Sequence, residues 1–255
     1  MIYEINNSDC AASLFGSWQE TMVWSCLQGI MGRVYANDEN NPSSVIAILA
    51  DFCFLAGQPS RELVSFKPEW CTQDFIIMVP QNNQWNEVIE NCYGAKAKKV
   101  ERYAMKKEPA IFNRDKLKDI VGQLSTEYTL RMIDAALFDY CKTESWCEDF
   151  VSQFSDYDSY RKKGIGVVIL KDGFPVAGAS SYTAYRDGIE IEIDTKEAYR
   201  RRGLATVCGA KLILECLDRG WYPSWDAQNL WSVSLAEKLG YHFSHAYDAY
   251  EICGY

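Results

Sequence analysis

A basic turn between an alternating segment and a long apolar helical pattern constrains this chain more than any other feature. Residues 189–195 read Ile-Glu-Ile-Glu-Ile-Asp-Thr, the period-two pattern of a β-strand. The turn at 199–206 reads Tyr-Arg-Arg-Arg-Gly-Leu-Ala-Thr, and it opens a helix expected from Gly203 to Arg219. The first turn of a helix offers N–H groups without helical partners and the positive end of the helix dipole. The pattern therefore predicts a site for a phosphate-bearing ligand.

The composition is that of a globular protein long enough for one large domain or two ordinary ones. Its 255 residues are 48% hydrophobic and 24% charged, and we expect no membrane span. The net charge of −9 disfavours a nucleic-acid partner, which requires a cationic surface. It is compatible with a cationic amine as substrate. Residues 1–7 lack the basic and apolar regions of a secretory signal, so we expect a cytoplasmic protein.

The ten cysteines are dispersed and contain no Cys-x-x-Cys pair, so neither a disulfide framework nor a zinc site is expected. Cys53 stands in the apolar run Phe-Cys-Phe-Leu, where cysteine behaves as a small hydrophobic residue. His242 and His245 flank the last predicted strand without a further cluster of metal ligands. We therefore expect reduced thiols and no metal.

The first half predicts a mixed α/β domain. We expect helices over residues 17–32 and 85–92, strands over 45–55, 74–80 and 98–104, and a helix that begins after the N-cap Asn113. Polar clusters at 108–128 mark the best boundary. They predict two domains, residues 1–125 and 126–255.

The second half predicts a three-stranded antiparallel meander followed by alternating helices and strands. Asp-Gly turns at 172–173 and 187–188 join the strands of the meander. The expected elements are a helix over 146–160, strands over 164–170, 174–182 and 189–195, the helix over 203–219, a strand over 221–226, a helix over 231–239 and an extended tail over 241–252. The fold class is α+β.

This order resembles the GNAT N-acetyltransferase superfamily. Arg200-x-x-Gly203-x-Ala205 is similar to its acyl-coenzyme A pyrophosphate loop. The stretch from Asn229 to Tyr241, which ends Lys-Leu-Gly-Tyr, is similar to its second motif. Pro223-x-Trp-Asp and Leu235-Ala-Glu-Lys-Leu-Gly look like the branch typified by the zwittermicin A resistance protein.

The resemblance covers roughly residues 125–255. It implies a GNAT-like, mostly antiparallel twisted sheet flanked by helices. Both halves share a strand-then-helix order, so the α/β N-terminal half could be a degenerate duplicate of the same fold.

The resemblance also implies acetyl-CoA as cosubstrate. Its pyrophosphate would lie on the N–H groups of residues 201–206, and its pantetheine along 193–195. The alternative is that the three arginines form a solvated surface patch. The implied cofactor-binding residues are Ile193, Asp194, Thr195, Arg200, Arg201, Arg202, Gly203, Leu204, Ala205, Thr206, Asn229, Ser232 and Lys238.

Amine acetylation needs a base for the amine, and alternation places Glu190, Glu192 and Asp194 on one face of the third meander strand. Glu192 is the first candidate for the base, beside the expected pantetheine segment, and Asp226 is the second. The alternative is a solvent-facing row of acids. The oxyanion would be held by a main-chain N–H of the same strand, near Ile193 or Asp194.

The chain departs from the family pattern at the position of the acid that would protonate the leaving thiolate. Many members carry a tyrosine in the second motif at the position of Ala236. Tyr241, Ser232 or Ser234 could substitute, or the thiolate could leave without an acid, because a thiol has a pKa of about 8.5. We take Tyr241 as a catalytic candidate beside Glu192 and Asp226.

The expected function is acetyl-CoA-dependent N-acetylation of a small-molecule amine, such as an antibiotic-like compound, by direct transfer in a ternary complex. The N-terminal half would form a lid or wall of the acceptor site, with a homodimer contact as a further role. Trp221, Trp225 and Trp231 are expected mostly in the core, although one could wall an acceptor pocket. The first alternative is a non-catalytic acyl-CoA-binding or regulatory protein, which Ala236 favours. The second is acetylation of a protein.

Overall fold

The computed structural model describes residues 1–5 and 8–255 and consists of two compact units. Unit 1 comprises residues 1–102 and 246–255, and unit 2 comprises residues 103–245. The predicted boundary at residue 125 falls within unit 2, and the division into folding domains stays a prediction. Asn6 and Asn7 lie outside the described residues. Both belong to the stretch 1–7, which lacks the features of a secretory signal.

Unit 1 is built on a mixed sheet. Its elements are β1 (Tyr3–Glu4), α1 (Ser8–Phe15), α2 (Thr21–Leu27), β2 (Arg33–Ala36), β3 (Ser44–Leu49), β4 (Phe52–Gly57), α3 (Arg61–Val64), β5 (Phe75–Pro80), α4 (Asn83–Tyr93), β6 (Ala97–Met105) and the last strand of the chain, β13 (Phe243–Cys253). Within an eight-stranded sheet, these seven strands follow the order β1-β2-β3-β4-β5-β13-β6. β1 to β4 are antiparallel, and β4 pairs with β5 in parallel. Trp85 of α4 and Tyr250 of β13 are fully buried in its core.

The sequence prediction for unit 1 is correct for β5, α4 and β6 and wrong in two places. The single strand expected over 45–55 is a hairpin of two strands, β3 and β4. Ala50 turns the chain with a φ of 56°, although no glycine, proline or asparagine marks that turn. The helix expected over 17–32 is only α2, because the chain leaves helical geometry after Leu27.

Unit 2 contains the predicted meander. Its elements are α5 (Arg114–Gly122), β7 (Thr129–Met132), α6 (Ala135–Thr143), α7 (Tyr157–Lys163), β8 (Gly166–Lys171), β9 (Phe174–Tyr185), β10 (Gly188–Thr195), α8 (Leu204–Asp218), β11 (Tyr222–Ser224), β12 (Asp226–Ala227) and α9 (Leu230–Leu239), with short 3₁₀ turns at Glu148–Phe150 and Glu197–Tyr199. The sheet order is β7-β8-β9-β10-β11. All neighbours are antiparallel except β10 and β11, which are parallel.

The meander, α8 and α9 confirm the sequence prediction, and Asn113 is the N-cap of α5 as expected. The helix expected over 146–160 is wrong. The chain there forms a 3₁₀ turn and further turns before α7 begins at Tyr157. Four residues with helical spacing are all buried there, namely Cys147, Phe150, Val151 and Phe154. The spacing therefore correctly indicates which side chains are buried, although the chain does not form an α-helix.

The two units repeat one order of elements. In each unit, one strand is followed by two helices and three further strands, and these four strands pair antiparallel with one another. A helix then leads to a strand that pairs in parallel with the fourth strand, and a second helix follows it. This repetition is what a degenerate duplicate predicts, and common ancestry stays a prediction. The α+β class with a mostly antiparallel sheet is confirmed. Across residues 1–5 and 8–255, no helix combines the length and the apolar character needed to cross a membrane.

Candidate functional site

Strand β10 has an open edge over half its length. Its parallel ladder with β11 consists of three residue pairs and ends at Glu190 opposite Ser224. Residues 191–195 continue to pair with β9 on one side only. The chain after Ser224 turns away, so that Asp226 pairs with Ala104 of β6 instead. The separated strands leave main-chain N–H and C=O groups of β10 available for a ligand.

The turn that follows β10 ends in the N-cap of α8. Gly203 has a φ of 79°, the left-handed region that favours glycine, and no side chain caps the helix there. A Cβ on Gly203 would meet open space, so the backbone conformation alone demands glycine. The N–H groups of the first turn of α8 consequently have no acceptor within the helix and can bind an anion.

The three arginines of the turn have different partners. Arg200 donates from Nε to the main-chain oxygen of Thr195 at 3.0 Å, and its Nη2 lies 3.4 Å from Asp194 Oδ1. Arg202 donates from Nη2 to the oxygen of Ala198 at 3.1 Å. These two side chains hold the turn in shape.

Arg201 differs from both neighbours. It has a φ of 61° and no ion pair or hydrogen bond to the described part of the chain, so its guanidinium is available to a ligand.

Two adjoining cavities extend from this turn, of about 400 Å³ and about 910 Å³. The smaller is lined by Ile193, Asp194, Thr195, Tyr199, Arg200, Arg201, Gly203, Leu204, Ala205, Thr206, Leu235 and Lys238. The larger is lined by Ile193, Asp194, Glu197, Arg200, Arg201, Gln228, Asn229, Trp231, Ser232 and Leu235. Every predicted cofactor-binding residue except Arg202 therefore lines one of the two cavities.

The second motif forms the opposite wall through α9. Asn229 is its N-cap, and the side-chain oxygen accepts from Ser232 N at 3.0 Å. The Ser232 hydroxyl accepts from Trp225 Nε1 at 3.0 Å, which leaves its own proton free to donate. Lys238, six residues beyond Ser232 along α9, lines the smaller cavity. The wall thus offers an amide, a hydroxyl and a cation to a phosphorylated ligand.

The predicted base candidates lie near the point where β10 and β11 separate. Glu192 is half-buried and stands opposite Ser180 of β9. Glu190, on the same face, is 6% exposed and pairs with Ser224. Asp226 begins β12 and is partly buried. Neither Glu192 nor Asp226 lines either cavity.

Tyr241 is held inside the unit. Its ring is 1% exposed, and its hydroxyl donates to the main-chain oxygen of Pro223 at 2.6 Å. Burial raises the pKa of this phenol well above its usual value. Ala236, at the position where the family resemblance implies a tyrosine, is fully buried.

Comparison with known proteins agrees with this geometry. The family model for GNAT acetyltransferases matches residues 12–250. The chain belongs to the GNAT acetyltransferase family. A GCN5-related N-acetyltransferase-like protein from Streptococcus suis 89/1591 is 45% identical in sequence, with a TM-score of 0.91 over 96% of this chain and 98% of that one.

Two further relatives are more distant. The uncharacterized N-acetyltransferase YdfB of Bacillus subtilis strain 168 is 27% identical over 90% of this chain and 89% of its own length. A tandem GNAT protein from the clavulanic acid biosynthesis pathway has 8% identity and a TM-score of 0.51 over 100% of this chain and 99% of its own. The second similarity shows the fold alone.

Within this GNAT fold, the sequence predicts Trp221, Trp225 and Trp231 mostly in the core and allows one at a pocket wall, without indicating which one. Trp225 is 3% exposed, as expected of a core residue, but Trp231 is 84% exposed and lines the larger cavity. Both tryptophans have mixed polar and apolar neighbours in the sequence, Pro-Ser-Trp-Asp at 223–226 and Asn-Leu-Trp-Ser at 229–232. The signal that distinguishes them is position, because Trp231 falls in the first turn of α9 and Trp225 falls between two strands.

Proposed function

We propose that this GNAT protein is an acetyl-CoA-dependent N-acetyltransferase that acts on a small-molecule amine by direct transfer in a ternary complex. The observation that carries the proposal is the open edge of β10 running into an uncapped helix N-terminus. That combination offers amide partners for a pantetheine chain and N–H donors for a diphosphate, one after the other along the chain. The name of the relative YdfB supports N-acetyl transfer.

The residues of the two cavities fit coenzyme A by their chemistry. The N–H groups of residues 201–206 and the Arg201 guanidinium would bind the diphosphate with charge-assisted hydrogen bonds. The main chain of Ile193 and Asp194 would pair with pantetheine amides, because Thr195 N and O are already bound by Asp194 Oδ1 and Arg200 Nε. Asn229 and Ser232 would bind from the opposite wall. When bound, acetyl-CoA supplies an activated acyl thioester.

The chain's own part in the chemistry begins with the acceptor amine, which attacks only as the neutral species. We propose Glu192 as the base that takes the proton, directly or through water, and Asp226 as the second candidate. A main-chain N–H near Ile193 or Asp194 would stabilise the developing oxyanion.

The engaged hydroxyl of Tyr241 favours departure of the thiolate without a dedicated acid. Such departure is feasible because a thiol has a pKa of about 8.5. Tyr241 as the acid stays a prediction.

The experiment is to incubate the protein with acetyl-CoA and a panel of amines and to detect acetylated amine by mass spectrometry. Direct detection is preferable to a thiol reagent, because Cys253 is an exposed free thiol of the protein itself. Glu192→Gln should lower kcat by about 10²–10⁴ while coenzyme A affinity is unchanged, with Asp226→Asn as the parallel variant. If coenzyme A binds but no amine in the panel is acetylated, the proposal fails.

That failure would support the second candidate, a non-catalytic acyl-CoA-binding or regulatory protein. The observation in its favour is the buried Ala236, which removes one source of an acid from α9. Two predictions about the acceptor stay predictions, namely a protein or an antibiotic-like compound. The same holds for the zwittermicin A resistance branch, a cytoplasmic location, a homodimer and the absence of a metal.

A further inference from the structure

Trp231 presents an aromatic plane to the larger cavity. At 84% it is the most exposed aromatic side chain among the residues that the structure describes. The same cavity is lined by Asn229 and by Arg200 and Arg201 of the turn at residues 199–206 (the phosphate turn). Indole rings are mostly buried in folded proteins, so one left exposed beside a cavity indicates a ligand with a flat apolar surface.

The position of Trp231 along the site indicates which part of a ligand it meets. Residues 191–195 give the open edge of β10 a length of roughly 16 Å. The end nearest Glu190 lies where the strands separate, and the other end adjoins the phosphate turn. Trp231 shares its cavity with the phosphate turn and with Ile193 and Asp194, and not with Glu190 or with the proposed base, Glu192.

Two arms leave the diphosphate of coenzyme A. The pantetheine arm is assigned to the edge of β10, which leaves the adenosine arm for the remaining wall of the larger cavity. Adenine is the one aromatic plane in the coenzyme. We propose that Trp231 is the stacking platform for the adenine of coenzyme A, an inference that rests on the proposed function.

The surrounding charges are compatible with a neutral base. Asp194 and Glu197 line the same cavity, and a cationic ring on Trp231 would be their natural partner. Asp194 Oδ1 is already engaged by Thr195 N at 2.6 Å and by Arg200, so the turn satisfies that carboxylate internally. Stacking of a base on an aromatic ring requires no hydrogen-bond partner, which fits an indole exposed on a helix.

The experiment compares two probes, coenzyme A and 4′-phosphopantetheine, by calorimetric titration of the full chain. Trp231→Ala should weaken coenzyme A binding about tenfold, within the usual range for base stacking on an aromatic ring. It should leave 4′-phosphopantetheine binding unchanged, because that probe has no adenine. Trp231→Phe should restore most of the affinity. Leu230→Ala is the matched control, since Leu230 is the adjacent exposed residue and lines neither cavity.

Three outcomes would overturn the proposal. Equal binding of coenzyme A by the wild type and Trp231→Ala would show that the ring does not touch the coenzyme. An equal loss for both probes would place Trp231 on the pantetheine arm. A raised KM for the amine with unchanged coenzyme affinity would assign it to the acceptor. If the wild type binds neither probe, the proposed function fails together with this subsite, whereas the first three results leave that function intact.

Discussion

At the scale of single residues, the three arginines of the phosphate turn differ in whether their side chains bind the turn itself. Arg200 and Arg202 bind main-chain oxygens of their own turn. Arg201 adopts a left-handed backbone conformation, which costs a non-glycine residue roughly 1 kcal/mol or more, and its guanidinium has no partner in the described chain. Strain at an unpartnered charged residue beside a cavity is typical of a ligand-binding position.

Arg201→Gly should therefore separate stability from binding. Glycine adopts positive φ without strain, so we expect the free energy of unfolding to rise by up to about 1 kcal/mol. Affinity for coenzyme A should fall about tenfold or more, because a charge-assisted hydrogen bond to phosphate is lost. Urea unfolding and calorimetric titration measure the two quantities.

Arg202→Gln is the matched control for Arg201→Gly. Its side chain binds Ala198 O and lies over the Tyr199 ring, so its loss reaches the coenzyme only through the shape of the turn, and coenzyme affinity should fall less than in Arg201→Gly. A loss of affinity in Arg202→Gln that equals the loss in Arg201→Gly would contradict the assignment.

At the scale of elements, the two helices that meet at the site begin in different ways. α8 starts at Gly203 with no side-chain cap, and its first N–H groups stay open to an anion. α9 starts at Asn229, whose own side chain accepts from Ser232 N. One helix N-terminus is available to a ligand, and the other is closed by its cap. We therefore expect the diphosphate of the proposed coenzyme to lie on α8, with α9 contributing side chains.

The cap of α9 gives a test at this scale. Asn229→Ala should lower the free energy of unfolding by about 1 kcal/mol, because the cap is lost. Asn229→Asp should keep that stability, since aspartate caps equally well and complements the helix dipole. It should still weaken coenzyme A binding about tenfold, because a carboxylate replaces an amide donor beside the phosphates. Equal affinity in Asn229→Asp and wild type would exclude Asn229 from the coenzyme site.

The sequence predicts correctly those helices and strands whose ends carry characteristic turn or cap residues. The Asp-Gly turns delimit the meander strands, and Gly203 and Asn229 mark the starts of two helices. The hairpin at Ala50 is missed because an alanine adopts a positive φ of 56° there, which tertiary packing imposes and no local signal announces. The turns around Phe150 are missed because burial at helical spacing looks the same with or without a helix.

The same limit applies to the site. The phosphate turn follows from local chemistry, because an arginine-rich turn with glycine before a helix carries its own signal. The open edge of β10 does not, since it depends on where β11 ends and β12 turns to β6. The exposure of Trp231 also depends on the whole surface of α9. Contacts between distant segments decide both features.

At the scale of the whole molecule, the two units share an element order, but among the described residues only unit 2 combines an open strand edge with an uncapped N-terminus of the α-helix that follows it. In unit 1 the parallel ladder of β4 and β5 has four pairs and leaves only Ala56 and Gly57 of β4 beyond it. Gly57 N donates to Gln81 Oε1 and Gly57 O accepts from Trp85 Nε1, so this short stretch is already bound. The helix after β4 is α3, with four residues, and Ser60 caps it by accepting from Leu63 N. In the part of unit 1 that the structure describes, β4 is thus followed by a short, capped helix and has no free edge as long as that of β10.

Unit 1 depends instead on the C-terminal end of the chain. β13 lies between β5 and β6 in its sheet, with Tyr250 opposite Met78 and Ile252 opposite Ile76. The side chains of Tyr250 and Ile252 are fully buried. The Tyr250 hydroxyl donates to Glu90 Oε1 of α4 at 2.6 Å. Residues far apart in sequence thus complete one core.

Removal of residues 246–255 should therefore unfold unit 1, because a central strand is deleted and β5 and β6 lose their neighbour. We expect the amide hydrogens of β5 and β6 to lose protection in hydrogen exchange measured by mass spectrometry. Ile252→Ala gives a graded version in the full chain and should lower the free energy of unfolding by about 2–4 kcal/mol through loss of buried volume. Cys253→Ser, at the exposed neighbouring position, should stay within about 0.5 kcal/mol of the wild type. Full protection of β5 in the truncated chain would show that the sheet of unit 1 closes without β13.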